Sequence, residues 1–240
     1  MRGKINKRLR PPPPPQKASP EDEKKIFAEW PAILRNMFVI SIRPSRLREF
    51  EARLGQKLCA FLTVVEGVHG TSLDVKQLQK QRIYKPLNAW NQLTRGELGC
   101  FLSHRAIWQR IVDANLPHAL IMEDDCLLYP TLEFLDQARA SITEMTRGNP
   151  QWTILLLSRG PKVAQTLKKV SAHLVKPGKS WGLHCYAISR RGAQALLAKA
   201  FPISQAVDIY VSTVPLRGRY ACAPVLCGVE KKLSDTMGIK

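Results

Sequence analysis

Short apolar runs alternate with amphipathic helical segments along this chain, and that alternation confines it to a narrow set of folds. Met37-Phe-Val-Ile-Ser-Ile42 has the length and apolar content of a buried strand. From Ser45 to Leu54, the residues Leu47, Phe50 and Leu54 share one helical face, and Gly55 supplies a stop. Cys59-Ala-Phe-Leu-Thr-Val-Val65 predicts a second strand, closed by Glu66 and Gly67. Strand, helix, strand in that order makes a crossover, and helical crossovers join parallel strands. The expected class is α/β, with a mostly parallel central sheet flanked by helices.

Later segments continue the pattern. After a polar stretch from His69 to Leu93, Thr94-Arg-Gly-Glu97 has the S/T-x-x-E spacing of a capping box. Leu98, Phe101, Leu102, Ala106 and Val112 keep helical spacing behind it, so a helix is predicted from Arg95 to about Asn115, closed by Pro117. His118-Ala-Leu-Ile-Met122 is a short strand that runs directly into Glu123-Asp124-Asp125. Thr131 to Arg147 reads as a helix ending at Gly148, and Trp152-Thr-Ile-Leu-Leu-Leu157 as another buried strand. Ser158 to Ser180 is basic and irregular, with a short hairpin around Lys169 to Val175. Gly182-Leu-His-Cys-Tyr-Ala-Ile-Ser189 is strand-like, and Arg191 to Ala200 is an Ala/Leu helix.

At 240 residues the chain has room for one domain and an extension. A core of that size folds without a disulfide or metal staple. Residues 1–25 hold eight basic and three acidic residues around Pro11–Pro15, with almost nothing to bury. They read as a disordered basic, Pro-rich tail, able to offer an SH3-type ligand or a tether to an anionic surface, and residues 26–240 as the folded domain. Lys and Arg number 37 against 19 Asp and Glu, a net charge of +18, so the body is basic as well. That excess favours phosphates, nucleic acids or anionic surfaces as partners and says little about fold. No apolar run approaches the roughly 20 residues of a spanning helix, and residues 1–30 lack an export-type apolar region. The expected location is cytoplasmic, at most peripheral to a membrane. Cys59, Cys100, Cys126, Cys185, Cys222 and Cys227 are scattered without a C-x-x-C pair and read as free thiols, with a Cys222–Cys227 bridge open but not required.

The chemistry concentrates at Glu123-Asp124-Asp125. Three acids in a row repel one another and end a core strand, and ligands of open α/β sheets bind beyond the carboxyl ends of strands. Carboxylates there suit a hard divalent cation, although a solvated turn explains them too. A bound Mg²⁺ or Mn²⁺ would bridge to a diphosphate and offset charge on a phosphate leaving group. Lys and Arg would add phosphate contacts. Neither G-x-x-x-x-G-K-[ST] nor G-x-G-x-x-G is present, which argues against a P-loop kinase and a dinucleotide oxidoreductase. The reading from residues alone is a nucleotide-dependent transferase.

Several blocks, in order, carry a family resemblance. They are Phe38-Val-Ile-Ser-Ile with Arg43 and Arg46, Gly96-Glu-Leu-Gly-Cys-Phe-Leu-Ser-His104, Ala119-Leu-Ile-Met-Glu-Asp-Asp125 and Trp152-Thr-Ile-Leu-Leu-Leu157. After these come Gly182-Leu-His-Cys-Tyr-Ala-Ile-Ser189 with Gly192-Ala193, then Val207-Asp-Ile-Tyr210, and a late Leu233-Ser-Asp235. Together they resemble glycosyltransferase family 25, which includes lipooligosaccharide β-galactosyltransferases and collagen galactosyltransferases. Ser41 stands where the family usually has Asn.

The resemblance implies a GT-A type nucleotide-sugar-binding fold, a UDP-sugar donor (UDP-galactose first), a Mn²⁺ or Mg²⁺ cofactor and inversion at the anomeric carbon. It implies Asp125 as metal ligand and Glu123 as a second ligand or a donor ribose contact. Arg43, Arg46, Asp124 and Tyr186 are expected to contact the donor. Asp208 is the candidate base for the acceptor hydroxyl, with a donor-hydroxyl contact or a helix cap as its other readings. His104 is the other candidate catalytic residue, against a satisfied core histidine; Ser103 and His184 follow. Glu97 has a full structural explanation as the capping-box acid. The acceptor expected is a glycan or protein hydroxyl. Two other classes fit the same residues: a basic nucleic-acid- or surface-binding module on a degenerate transferase scaffold, and a metal-dependent hydrolase of nucleotide sugars.

Overall fold

The computed structural model describes residues 18–88, 92–158, 168–178 and 182–230. In chain order, α1 (Pro20–Ala28) leads to β1 (Met37–Ser41), α2 (Pro44–Leu54), α3 (Gln56–Cys59) and β2 (Leu62–Glu66). Next come α4 (Val75–Lys80), α5 (Arg95–Asp113), β3 (His118–Glu123), β4 (Cys126–Leu127), α6 (Leu132–Gly148) and β5 (Ile154–Leu156). The chain continues through β6 (Lys168–Lys169), β7 (Leu174–Lys176), β8 (Cys185–Ser189), α7 (Arg190–Leu197), α8 (Val207–Thr213), β9 (Arg219–Cys222) and β10 (Gly228–Val229).

Eight strands form the main sheet, in the order β2-β1-β3-β8-β5-β9-β7-β6, while β4 and β10 pair separately. β1 pairs parallel with β2 and β3, and β5 pairs parallel with β9. β8 runs antiparallel between β3 and β5, and β7 runs antiparallel between β9 and β6. Six strands therefore share one direction and two are reversed, which is the mostly parallel α/β sheet that the alternation predicts. Each central strand buries both faces, as a sheet with helices on both sides must. Val39, Leu120, Met122 and Ala187 join α1, α2 and α6 in one core through Ile26, Phe50 and Phe134. Phe38, Ile121 and Tyr186, one position away, join α5, α7 and α8 in the other through Leu98, Leu196 and Tyr210.

Three expectations change. Residues 20–25 are not part of a core-free tail. Ser19 caps α1, its hydroxyl accepting from the Asp22 N–H at 3.1 Å while Asp22 takes the Ser19 N–H, and Pro20 occupies the first turn. The helix then delivers Ile26 to the core, and Trp30 beyond it stacks on Phe134 with ring centroids 5.5 Å apart. Residues 1–17, with the proline run, lie outside the described residues, as does Leu233-Ser-Asp235. The second strand starts at Leu62 rather than Cys59, because its one partner β1 offers only five positions, from Met37 opposite Leu62 to Ser41 opposite Glu66. Cys59 instead ends the one-turn α3. The polar stretch after β2 also contains a helix, α4, capped by Asp74. Truncation through residue 25 removes the α1 cap, worth about 1 kcal/mol, and undermines Ile26. A lower Tm than that of a truncation through residue 17 is the expected result in a thermal melt.

One close approach shapes the wall of the site described below. A Cβ on Gly99 would lie 2.3 Å from the Val68 carbonyl oxygen, so α5 and the loop after β2 touch backbone to backbone. Ser103 clamps the same contact: its hydroxyl donates to the Gly99 carbonyl at 2.7 Å and accepts from the Val68 N–H at 2.8 Å. Gly99→Ala should destabilise the fold by about 1–3 kcal/mol, as overpacking does, measurable by denaturant unfolding. Ser103 is a wall-building residue here. Among the described residues, no helix is long and apolar enough to cross a membrane.

Candidate functional site

The sheet topology brings the acidic turn together with a histidine from a distant segment. β1 and β3 are parallel, with Ile40 opposite Glu123, so both carboxyl ends finish side by side. β8 starts where β3 ends, with Met122 opposite Cys185, and the Glu123 N–H donates to the His184 carbonyl at 3.0 Å. His184 Nδ1 lies 3.1 Å from Asp125 Oδ1 and 3.6 Å from Glu123 Oε2. One ligand atom from each of Glu123, Asp125 and His184 falls within 4.8 Å of the others.

The electrostatics of this trio are those of a cation position. Burial opposes charge on His184, but Asp125 and Glu123 outweigh it and its pKa is pushed up to about 11. Burial likewise works against the Glu123 carboxylate, yet hydrogen bonds from His104 and His184 hold it well below the usual carboxylate range. Two carboxylate oxygens thus share one proton-bearing imidazole, and a divalent cation can replace that proton. Two carboxylate oxygens with one imidazole nitrogen can hold a first-row divalent cation, Mn²⁺ among them, whereas Mg²⁺ prefers oxygen throughout.

Asp124 has different partners. Its Oδ2 accepts the Ser41 hydroxyl at 2.6 Å, and Arg46 Nη1 stands 3.9 Å from its Oδ1. Burial raises the Asp124 pKa, with Ser41 and Arg46 pulling it back in part. Asp124 thus ties the ends of β1 and β3 from within the wall of the cleft, beside Arg46. Ser41, at the position where the resemblance departs, is the residue that makes this tie.

Arg43, the residue before α2, and Arg46 line one cleft together with Glu123, Asp124, Asp125 and Ile40. Gly67, Val68, Gly70, Gly96 and Cys100 form its other wall. A larger cavity of about 270 Å³ lies elsewhere, between α1, the end of α2 and Tyr129, away from this chemistry.

Neither His104 nor Tyr186 reaches that cleft. Both side chains are fully buried. His104 Nε2 lies 3.2 Å from Glu123 Oε1, and its Nδ1 3.0 Å from the Tyr186 hydroxyl oxygen. The Trp108 indole N–H donates to that same oxygen at 2.8 Å. One arrangement consistent with these distances has the Tyr186 hydroxyl donating to Nδ1 and Nε2–H donating to Glu123. The expected direct roles, His104 in catalysis and Tyr186 against the donor, are corrected by this burial. They hold Glu123 in place from behind.

Asp208 sits in the first turn of α8. Its Oδ2 accepts the Gly182 N–H at 2.9 Å and its Oδ1 the Ile209 N–H at 2.7 Å. Gly182 has φ +85°, a left-handed conformation that suits glycine. Burial raises the pKa of the Cys100 thiol, and Glu123, Asp208 and Asp125 raise it further. Glu97 is the capping-box acid expected of it, accepting the Thr94 N–H at 2.8 Å.

His184 is the residue that sequence reasoning underused. Its signal was position: it lies in the strand-like block Gly182–Ser189, but only antiparallel pairing with β3 puts it beside Glu123. None of the six cysteines is in a disulfide, so the optional Cys222–Cys227 bridge is not formed.

Comparison with known proteins closes the identification. The model of a family described as glycosyltransferase family 25 (LPS biosynthesis protein) matches residues 34–211. Mouse procollagen galactosyltransferase 2 is 29% identical over 166 residues, covering 64% of this chain and 26% of that protein. Zebrafish procollagen galactosyltransferase 1 is 29% identical over 168 residues, covering 66% and 28%. Mouse inactive glycosyltransferase 25 family member 3 is also 29% identical, over 177 residues, covering 68% and 28%. The chain thus spans just over a quarter of the length of these relatives. With a match that takes in β1, the α5 block, the acidic turn, β8 and most of α8, this chain belongs to glycosyltransferase family 25.

Proposed function

We propose that the chain is an inverting glycosyltransferase domain that moves a hexose, galactose first, from a UDP-sugar to a hydroxyl of a glycan or protein acceptor. The observation that carries this reading is the convergence of Glu123, Asp125 and His184 at the mouth of a cleft lined by Arg43 and Arg46. The GT-A type of fold belongs to the same proposal. Glu123, Asp125 and His184 would hold a divalent cation such as Mn²⁺, which would supply charge to offset the departing diphosphate.

The chain's own residues do the rest. Arg43 and Arg46 bind and orient the donor phosphates from the wall next to β1. His104, through Nε2, fixes the Glu123 carboxylate. Asp208 takes the acceptor proton as the acceptor oxygen bonds to the anomeric carbon and the diphosphate leaves from the opposite face. Each of its oxygens accepts one backbone N–H and keeps a lone pair for the hydroxyl.

Relatives named as galactosyltransferases and one named inactive match this chain at the same 29% identity, so identity does not decide turnover. A donor screen does: purified protein, a panel of nucleotide sugars, with and without Mn²⁺, reading nucleotide release. Release from UDP-galactose that rises with Mn²⁺ and with a glycan or peptide acceptor is the expected result. Release with water as the only acceptor points to a hydrolase. Salt-sensitive nucleic-acid binding without any release, on folded protein, replaces the proposal with the binding-module reading, which the +18 charge favours.

A further inference from the structure

Three cysteines from separate segments converge behind the acidic turn. Cys126 directly follows Asp125, Cys185 directly follows His184, and Cys227 precedes β10. Their Sγ atoms all lie within 4.8 Å of one another. All three residues are buried, at 0%, 1% and 2% exposure.

The backbone around them is pinned. Cys126 pairs with Val229 across β4 and β10. Ser158 bridges to Cys227, and its hydroxyl accepts the Cys185 N–H at 2.9 Å. The Cys227 N–H donates to the Leu157 carbonyl at 3.2 Å. A buried thiol used as a small apolar group needs only carbon neighbours. Here sulfur faces sulfur twice over, from three strands of chain. Thiolates on one cation, with metal–sulfur bonds of about 2.3 Å, stand roughly 4 Å apart, so the trio needs little movement to close on an ion.

We infer that Cys126, Cys185 and Cys227 form a second metal site, selective for one thiophilic cation of the Zn²⁺ or Cu⁺ class. Loading releases the thiol protons to solvent, since thiolates are the ligands. The two sites differ in kind. The same two segments present oxygen and imidazole donors on the cleft side and sulfur donors on the core side, and soft thiolates select different metals from carboxylates. A cation held by the three sulfurs would brace the acidic turn against β8 and β10. This inference stands independently of the proposed transferase activity.

The test is a titration of the reduced, chelator-washed 240-residue chain with Cd²⁺ in the absence of oxygen. A thiolate-to-metal charge-transfer band that saturates at one equivalent, and that Zn²⁺ competes away, is expected. The band should persist in Asp125→Asn and in Cys59→Ser and disappear in Cys126→Ser and Cys227→Ser. Where those variants do not fold, the ¹¹³Cd resonance of the loaded wild type decides, because its position reports how many sulfurs bind. No band on folded wild type, a band surviving in both serine variants, or a resonance of an oxygen-rich site overturns the inference.

Discussion

Asp125→Asn lowers sugar-transfer turnover by about 10²–10³-fold, the usual cost of losing one electrostatic stabiliser of a developing charge. The substitution keeps the size of the side chain and removes its charge. Asp125 is largely covered, at 18% side-chain exposure, and pairs with His184, so Tm should fall as well, and turnover is compared on folded protein below the lowered Tm. Metal affinity and turnover should fall together, because the same carboxylate serves both. Chelation of the wild type should reproduce the loss, and excess Mn²⁺ should restore part of the variant's activity. The control is Asp124→Asn. Its carboxylate is committed to Ser41 and Arg46, so it should lose stability rather than metal affinity. Normal turnover in Asp125→Asn, or a wild type indifferent to chelation, removes the metal from the mechanism. Charge on the leaving group would then fall to Arg43 and Arg46 alone.

Much of this arrangement is local and was readable from the chain. Thr94 and Glu97 lie three residues apart and satisfy each other whatever the rest of the molecule does. The apolar runs at Phe38, Leu120 and Leu155 mark strands because each must be buried on both faces. Glu123, Asp124 and Asp125 fall at the carboxyl end of β3 and in the turn that follows it, so all three carboxylates line one cleft. Long-range pairing was not readable in this way. No property of Leu183-His-Cys-Tyr186 tells that its strand runs against β3, and only that reversal sets His184 beside Glu123. His104 shows the same limit from the other direction: a histidine next to apolar residues is legible, but its burial depends on Tyr186 and Trp108 closing over it from β8 and α5. The cap at Ser19 was a local signal too. It was outweighed by the surrounding proline and lysine composition, although Pro20 and Asp22 supply the other two parts of a helix start.

The burial of His104 turns two competing outcomes into one combined outcome. A surface contact residue would cost activity alone, and an inert core histidine would cost stability alone. His104 is in the core and also bonded to the acidic cluster, so His104→Ala should cost both. The cavity, and the buried Tyr186 hydroxyl left without an acceptor, together should cost about 2–4 kcal/mol in unfolding free energy. Glu123 loses the donor that fixes its Oε1, and groups that orient a metal ligand are typically worth about 10–100-fold in affinity or activity. Mn²⁺ affinity measured by calorimetry on the folded variant, below its lowered Tm, should fall by that factor. Tyr186→Phe separates the two contributions. It keeps the ring volume and leaves Nε2 of His104 facing Glu123, while stranding the Trp108 N–H. Its stability should drop by about 1–3 kcal/mol, and its Mn²⁺ affinity by less than that of His104→Ala. Unchanged Mn²⁺ affinity in a folded His104→Ala protein would mean that Glu123 holds its position without the histidine, and that the buried relay serves packing alone.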